Sequence, residues 1–222
     1  MNFKDKYIDI HSHQENTFDD RVEVLNVYPD KLVSFQKDRF YSIGMHPWYI
    51  PEKGVGKLLE VVENLSKLEE IVAIGECGLD KLSNTPFDVQ EFVFERHIEI
   101  AEKVQKPLIV HCVRSFNELV QFKINSGSSV DWIVHGFNSN LQVADMLLRH
   151  EFYLSFGKAL LNPSSNASAV IGQIEDELYL LETDDSDIGI EKIYQVAAER
   201  VHMDMDILKL SMQTNFINCF KL

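Results

Sequence analysis

Six side chains with metal-binding chemistry recur in this sequence, each at the end of a short apolar run. His11 and His13 stand in Ile8-Asp9-Ile10-His11-Ser12-His13. Residues two apart on a strand point to the same face, so both imidazoles would emerge together. Glu76 follows the apolar Val72–Gly75, and His111 ends Leu108-Ile109-Val110. His135 ends Trp132-Ile133-Val134, and Asp184 closes the run from Leu178 through Glu182-Thr183. Taken singly, each has a plain structural alternative. A histidine can bond to backbone at the edge of a core, and a carboxylate can cap a following helix. Taken together, ionisable groups gathered at strand ends would repel or desolvate one another without a partner. A pair of metal ions is such a partner. Imidazoles mixed with carboxylates suit transition metals better than calcium, whose ligands are oxygens. The expected cofactor is therefore two divalent metal ions (zinc, manganese, nickel, iron or magnesium).

The elements that would position these groups alternate. Strands are expected near Tyr7–Ile10, Val22–Val27, Phe40–Gly44, Val72–Gly75, Leu108–His111, Trp132–His135, Phe152–Phe156 and Leu178–Thr183. Several are almost continuously apolar, as parallel strands covered on both faces are. Helical periodicity marks Val55–Leu68, Asp88–Gln105, Ser115–Asn125, Leu141–His150, Ile190–Val201 and Met205–Phe220, the last with Asp204 as N-cap. In Asp88–Gln105 the expected apolar stripe holds Phe92, Phe94, Ile98, Ala101 and Val104. Asn162–Ser168, with its proline and serines, reads as a loop. Alternating strands and helices imply a parallel sheet. Eight strands point to an α/β fold of the (β/α)8 TIM-barrel class, trimmed because little room remains for a helix between the first two strands. The metal-binding groups then lie at the C-terminal rim, where barrel enzymes build their sites.

The 222 residues suit one domain, 1–222. A net charge of −14 argues against nonspecific coating of nucleic acid but leaves room for a phosphate held at a local cation. Three scattered cysteines argue against a disulfide framework. Residues 1–7 have no apolar core of a signal peptide, and no stretch is apolar enough to span a membrane. A cytoplasmic protein with no membrane association and no evident obligate protein partner is expected.

At these residues the chain resembles the TatD family of metal-dependent hydrolases, a branch of the amidohydrolase-like TIM barrels. The resemblance is carried by Asp9-Ile10-His11-Ser12-His13, Gly44-Met45-His46-Pro47-Trp48 and, most specifically, Gly75-Glu76-Cys77-Gly78-Leu79-Asp80. It continues through Pro107-Leu108-Ile109-Val110-His111-Cys112-Val113-Arg114, His135-Gly136-Phe137, Leu180-Leu181-Glu182-Thr183-Asp184 and Thr214-Asn215-Phe216. The resemblance implies one metal on His11, His13, Glu76 and Asp184. A second would take Glu76, His111 and His135, with Glu76 bridging. It also implies hydrolysis of phosphodiesters in DNA, including exonuclease activity. Two departures stand out. The segment between the first two strands is short, and the loop after Asp184 is cut down to Asp185-Ser186-Asp187-Ile188-Gly189.

Within that scheme Asp184 and Glu76 are the expected catalytic residues, with Asp184 acting as ligand and general base to a metal-activated water. Arg114 is expected to hold a substrate phosphate bidentately, or else to pair with Glu118 one turn on. His46 would donate to substrate or leaving group, or else simply precede Pro47 in a turn. Trp48 reads either as cover for the rim or as a surface on which a base stacks. The substrate would be DNA or a small phosphoester. The same ligands would also serve hydrolysis of small esters, lactones or amides, or a metal-binding barrel without nuclease activity.

Overall fold

The computed structural model describes residues 3, 5–15, 19–31 and 34–222. The signal-peptide expectation rested partly on residues 1, 2 and 4, which lie outside the described residues. Eight strands form one sheet in chain order. They are β1 (Tyr7–Ser12), β2 (Arg21–Val27), β3 (Phe40–Ile43), β4 (Ile71–Asp80), β5 (Leu108–Val113), β6 (Trp132–Val134), β7 (Phe152–Phe156) and β8 (Tyr179–Leu181). The pairs β1–β2, β3–β4, β4–β5, β5–β6 and β7–β8 are parallel. Past β8, Asp184 makes a parallel bridge to Ser12 of β1. The helices are α1 (Val55–Leu65), α2 (Phe87–Val104), α3 (Phe116–Ser126), α4 (Leu141–Leu148), α5 (Asn166–Val170), α6 (Ile190–Val201) and α7 (Met205–Phe220). This order is that of a (β/α)8 barrel. Among the described residues no helix lies between β1 and β2, the trimming expected from the sequence, and none lies between β2 and β3. No helix of the described residues is long and apolar enough to cross a membrane. Contacts cluster in two compact units, residues 26–134 and residues 1–25 with 135–222.

In the 26–134 unit, β4 is buried along its whole length and runs through Glu76 to Asp80, whereas the sequence placed its end at Gly75. Glycine explains the extra length. A Cβ at Gly44 would lie 2.6 Å from the Glu76 carbonyl oxygen, and one at Gly78 (φ +136) would collide with the His111 carbonyl. Only glycine lets the neighbouring backbones approach this closely and takes such a φ. α2 covers the sheet with Val93, Phe94, His97, Ile98 and Ala101. Phe94 meets Trp132 edge to face, with ring centroids 5.5 Å apart. Phe92 departs from the expected stripe and is 54% exposed. Two residues subtend about 200° on a helix, so Phe92 and Phe94 cannot share one face.

In the other unit, α7 starts where the sequence places it, with the Asp204 carboxylate accepting from the Asp206 N–H at 2.9 Å. Asn215 on α7 donates to the Tyr179 carbonyl at 2.8 Å. Tyr194 on α6 accepts from the Ile8 N–H and donates to the Ile8 carbonyl, at 3.0 and 3.1 Å. These bonds tie both helices to strands. The expected loop at Asn162–Ser168 is a loop only in its first half. Ser165 caps α5 by accepting from the Ser168 N–H at 3.1 Å. The serine that reads as a turn residue is also a helix-starting residue, and here it acts as the latter.

Candidate functional site

β1 carries His11, and His13 follows one residue past its end. Their ring centroids lie 4.9 Å apart. Asp184 meets them because the backbone brings it there. Its N–H donates to the His11 carbonyl at 2.9 Å, and the His13 N–H donates to the Asp184 carbonyl at 3.1 Å. One carboxylate oxygen, Oδ1, then stands 3.7 Å from His11 Nε2 and 3.5 Å from His13 Nε2. His135 joins them, with its ring centroid 4.6 Å from that of His11. Ligand atoms of His11, His135 and Asp184 all fall within 4.8 Å of one another.

Those separations bear on whether a cation fits. Imidazole nitrogens and carboxylate oxygens bound tetrahedrally at about 2.0–2.2 Å stand about 3.3–3.6 Å from each other. Hydrogen-bonded partners stand closer, at about 2.7–3.2 Å. The 3.5 Å distance falls in the range for ligands around one cation and the 3.7 Å distance just beyond it, and both are longer than a hydrogen bond. The donor set of histidines with one carboxylate suits a transition metal. The site therefore fits a metal.

Behind these ligands lie carboxylates that the sequence analysis assigned no role. Glu182 is fully buried on the same segment as Asp184. It accepts from the Gly136 N–H at 2.6 Å and from the Ser155 hydroxyl, and its Oε1 stands 3.4 Å from His135 Nδ1. Burial raises its pKa, but His135, His11 and the Ser155 hydroxyl outweigh that and hold it below the ordinary value. Asp9 is also fully buried. It accepts from the Thr183 N–H and hydroxyl at 3.0 and 2.6 Å. Burial pushes its pKa up to about 8 against those bonds. The signal was present in period two, since Asp9 precedes His11 and Glu182 precedes Asp184 by two residues.

The second cluster lies in the 26–134 unit and gathers His46, Glu76 and His111. Glu76 is placed by β4, and its N–H donates to Asn26 Oδ1 at 2.7 Å. Its Oε1 lies 3.1 Å from His46 Nε2 and 3.1 Å from His111 Nδ1. His46, expected to act on substrate or leaving group, lies beside Glu76. The Trp48 N–H donates to its Nδ1 at 3.0 Å. A neutral imidazole with one accepting nitrogen carries its proton on the other, here Nε2, the nitrogen 3.1 Å from Glu76 Oε1. His111 lies between two carboxylates, because its Nε2 is 3.1 Å from Asp80 Oδ2.

The remaining expectations divide. Arg114 is exposed just past β5 with φ +54, and Glu118 pairs with Lys81 rather than with it. Trp48 is 56% exposed, but its indole N–H is tied to Asp80 Oδ2 at 2.6 Å. Asp185, one of the acidic residues beside Asp184, pairs with Lys158. Asp187 accepts from the Gln14 amide at 3.2 Å.

Eight strands in barrel order carry histidine–carboxylate clusters at the ends of β1, β4, β5 and β6 and beyond β8, where barrels of the TIM class place their sites. A family model described as TatD related DNase matches residues 18–221, and the chain belongs to this family. The chain is 32% identical over 148 residues to "Uncharacterized metal-dependent hydrolase YabD" of Bacillus subtilis, which covers 65% of this chain and 58% of that protein. It is 30% identical over 157 residues to "Deoxyribonuclease Tat-D" of Schizosaccharomyces pombe, covering 64% and 50% respectively. The chain thus spans about half to three-fifths of the length of curated relatives it matches. The solved structure of YjjV, a TatD homologue from Escherichia coli, superposes with a TM-score of 0.83 at 19% identity, over 97% of this chain and 98% of that one.

Proposed function

We propose that this protein is a two-metal hydrolase of phosphodiesters, with DNA or a small phosphoester as substrate and residues 1–222 acting as one hydrolase domain. The observation that carries the reading is a single carboxylate oxygen of Asp184 at 3.7 and 3.5 Å from the Nε2 atoms of His11 and His13. This spacing suits ligation, and the relative from S. pombe bears the name of a deoxyribonuclease. In this reading His11, His13, His135 and Asp184 would hold one divalent ion, with His135 assigned here rather than to the second ion that the resemblance implies for it. Glu76 and His111 would hold the other, and the resemblance implies that Glu76 serves both. The bound cations would supply a water of lowered pKa and a clamp on a phosphoryl oxygen.

The chain's own residues do the rest. Asp184 takes the proton of the attacking water as general base. His46, held by the Trp48 N–H, keeps the Glu76 carboxylate aimed. Arg114, exposed beside β5, takes a substrate phosphate through its forked donors. A second reading, hydrolysis of small esters, lactones or amides, is favoured by the net charge of −14, which works against a polyanionic substrate. The Lys158–Asp185 pair offsets that charge near Asp184. A cytoplasmic location belongs to the same proposal and is supported by Cys77 and Cys112, both free thiols.

The test is hydrolysis of single-stranded DNA, bis-p-nitrophenyl phosphate and a lactone panel by chelator-stripped protein before and after adding zinc or manganese. Chelation should abolish turnover, and either ion should restore it. Activity indifferent to chelator removes the metal reading. DNA cleavage weaker than that of every small ester removes the nuclease reading.

A further inference from the structure

Asp80 is almost wholly buried at the end of β4, and each of its polar atoms is engaged. Its Oδ1 accepts from the Leu82 N–H at 2.7 Å. Its Oδ2 accepts from the Trp48 indole N–H at 2.6 Å and lies 3.1 Å from His111 Nε2. Its backbone is clamped as well. Its N–H donates to Gln90 Oε1 at 2.8 Å, and Gln90 Nε2 donates back to its carbonyl at 3.0 Å. Gln90 is itself buried on α2 and donates to the Thr85 carbonyl at 2.8 Å. The carboxylate can neither rotate nor withdraw without losing several bonds.

A carboxylate accepts and an indole N–H only donates, so His111 must also donate through Nε2–H to share Oδ2. The proton of the neutral ring is then committed to Nε2, and Nδ1 is left as a lone pair. That lone pair lies 3.1 Å from Glu76 Oε1, and His46 Nε2 lies 3.1 Å from the same oxygen. With the ring neutral and Nε2–H so held, Nδ1 and Glu76 Oε1 are two acceptors brought to one place, and a cation is a group that both can bind.

We propose that Asp80 is a positioning residue that holds the Nε2–H of His111 and thereby presents its Nδ1 lone pair to a cation shared with Glu76. This rests on the metal-dependent reading above for the identity of the cation, but not for the state of the ring. Metal-bound histidines commonly donate their other N–H to a carboxylate, and removing that carboxylate typically weakens metal binding by about 10- to 100-fold. The indole shares the anchor without contributing to the tautomer.

The test uses Asp80→Asn and Trp48→Phe. With the Leu82 N–H requiring an oxygen, the asparagine would turn its NH2 toward Trp48 and His111. Two measurements are needed: the His111 tautomer in metal-free protein at pH 9 by long-range 1H–15N correlation, and zinc affinity by equilibrium dialysis. The wild type should carry its proton on Nε2, and Asp80→Asn should move it to Nδ1 while weakening zinc binding by about 10- to 100-fold. Trp48→Phe should change neither. A wild-type ring protonated on Nδ1, or on both nitrogens, overturns the inference. So does an Asp80→Asn ring unchanged from wild type, an unchanged zinc affinity, or a Trp48→Phe variant that reproduces both losses. A tautomer that responds to Asp80→Asn in a protein with no zinc affinity would overturn the metal reading instead and uphold the positioning role. Circular dichroism melts of each variant separate these outcomes from loss of fold.

Discussion

The backbone N–H of Trp48 lies 3.0 Å from Nδ1 of His46, and this one contact decides what that histidine can do. With Nδ1 accepting, the proton of a neutral ring is on Nε2, which lies 3.1 Å from Glu76 Oε1. A ring in that state offers a proton and no lone pair, so it aims a carboxylate without ligating a cation.

His46→Ala should therefore leave metal content unchanged while lowering kcat by about 10- to 100-fold, the range found when a group supporting a ligand is lost. Elemental analysis of the dialysed variant, set beside its turnover of bis-p-nitrophenyl phosphate, checks this. Loss of a bound ion from His46→Ala would make the histidine a ligand after all.

Asp184→Asn should fold normally and lose at least about 100-fold in hydrolysis, as removal of a base does. The fold is expected to survive because Asp184 sits at φ +55, a conformation asparagine tolerates as readily as aspartate. The backbone bonds to His11 and His13 also use no side-chain atom. Matching melting curves with near-normal turnover would deprive Asp184 of its assigned role.

His97 predicts a dependence of stability on pH that is separate from catalysis. Burial lowers its pKa from 6.5 to about 4. Its Nδ1 lies 2.7 Å from the Val93 carbonyl, and its Nε2 accepts from the Met45 N–H at 3.0 Å. The folded state thus requires a neutral ring, while the unfolded chain binds a proton near pH 6.5. Between the two values the unfolded state holds more protons, so stability rises with pH. The full contribution, about 3 kcal/mol, is present above pH 6.5 and fades as pH falls toward 4. About 2 kcal/mol of it should be gone by pH 5. Urea unfolding of wild type and His97→Gln at pH 7 and pH 5 isolates the effect, since only wild type carries this slope. Parallel losses in both proteins would assign it elsewhere.

Strand periodicity made much of this protein readable in advance. The alternation that puts His11 and His13 on one face, the apolar runs of the eight strands, and the Asp204 cap are properties of neighbouring residues. Local sequence therefore determines them. The tertiary structure decided what depends on distant partners. Only the fold shows that β4 continues through Glu76, because the close approach of Gly44 and Gly78 to other strands permits it. Only the fold turns Phe92 outward, since helix faces are chosen by what packs against them. The proton on His46, the anchoring of His111 by Asp80, and the burial of Asp9 against Thr183 and of Glu182 behind His135 join residues far apart in the chain. A hydrogen bond assigns donor and acceptor only once both atoms are in place, so residue types alone named the candidate ligands but could not say which nitrogen of each ring meets which partner.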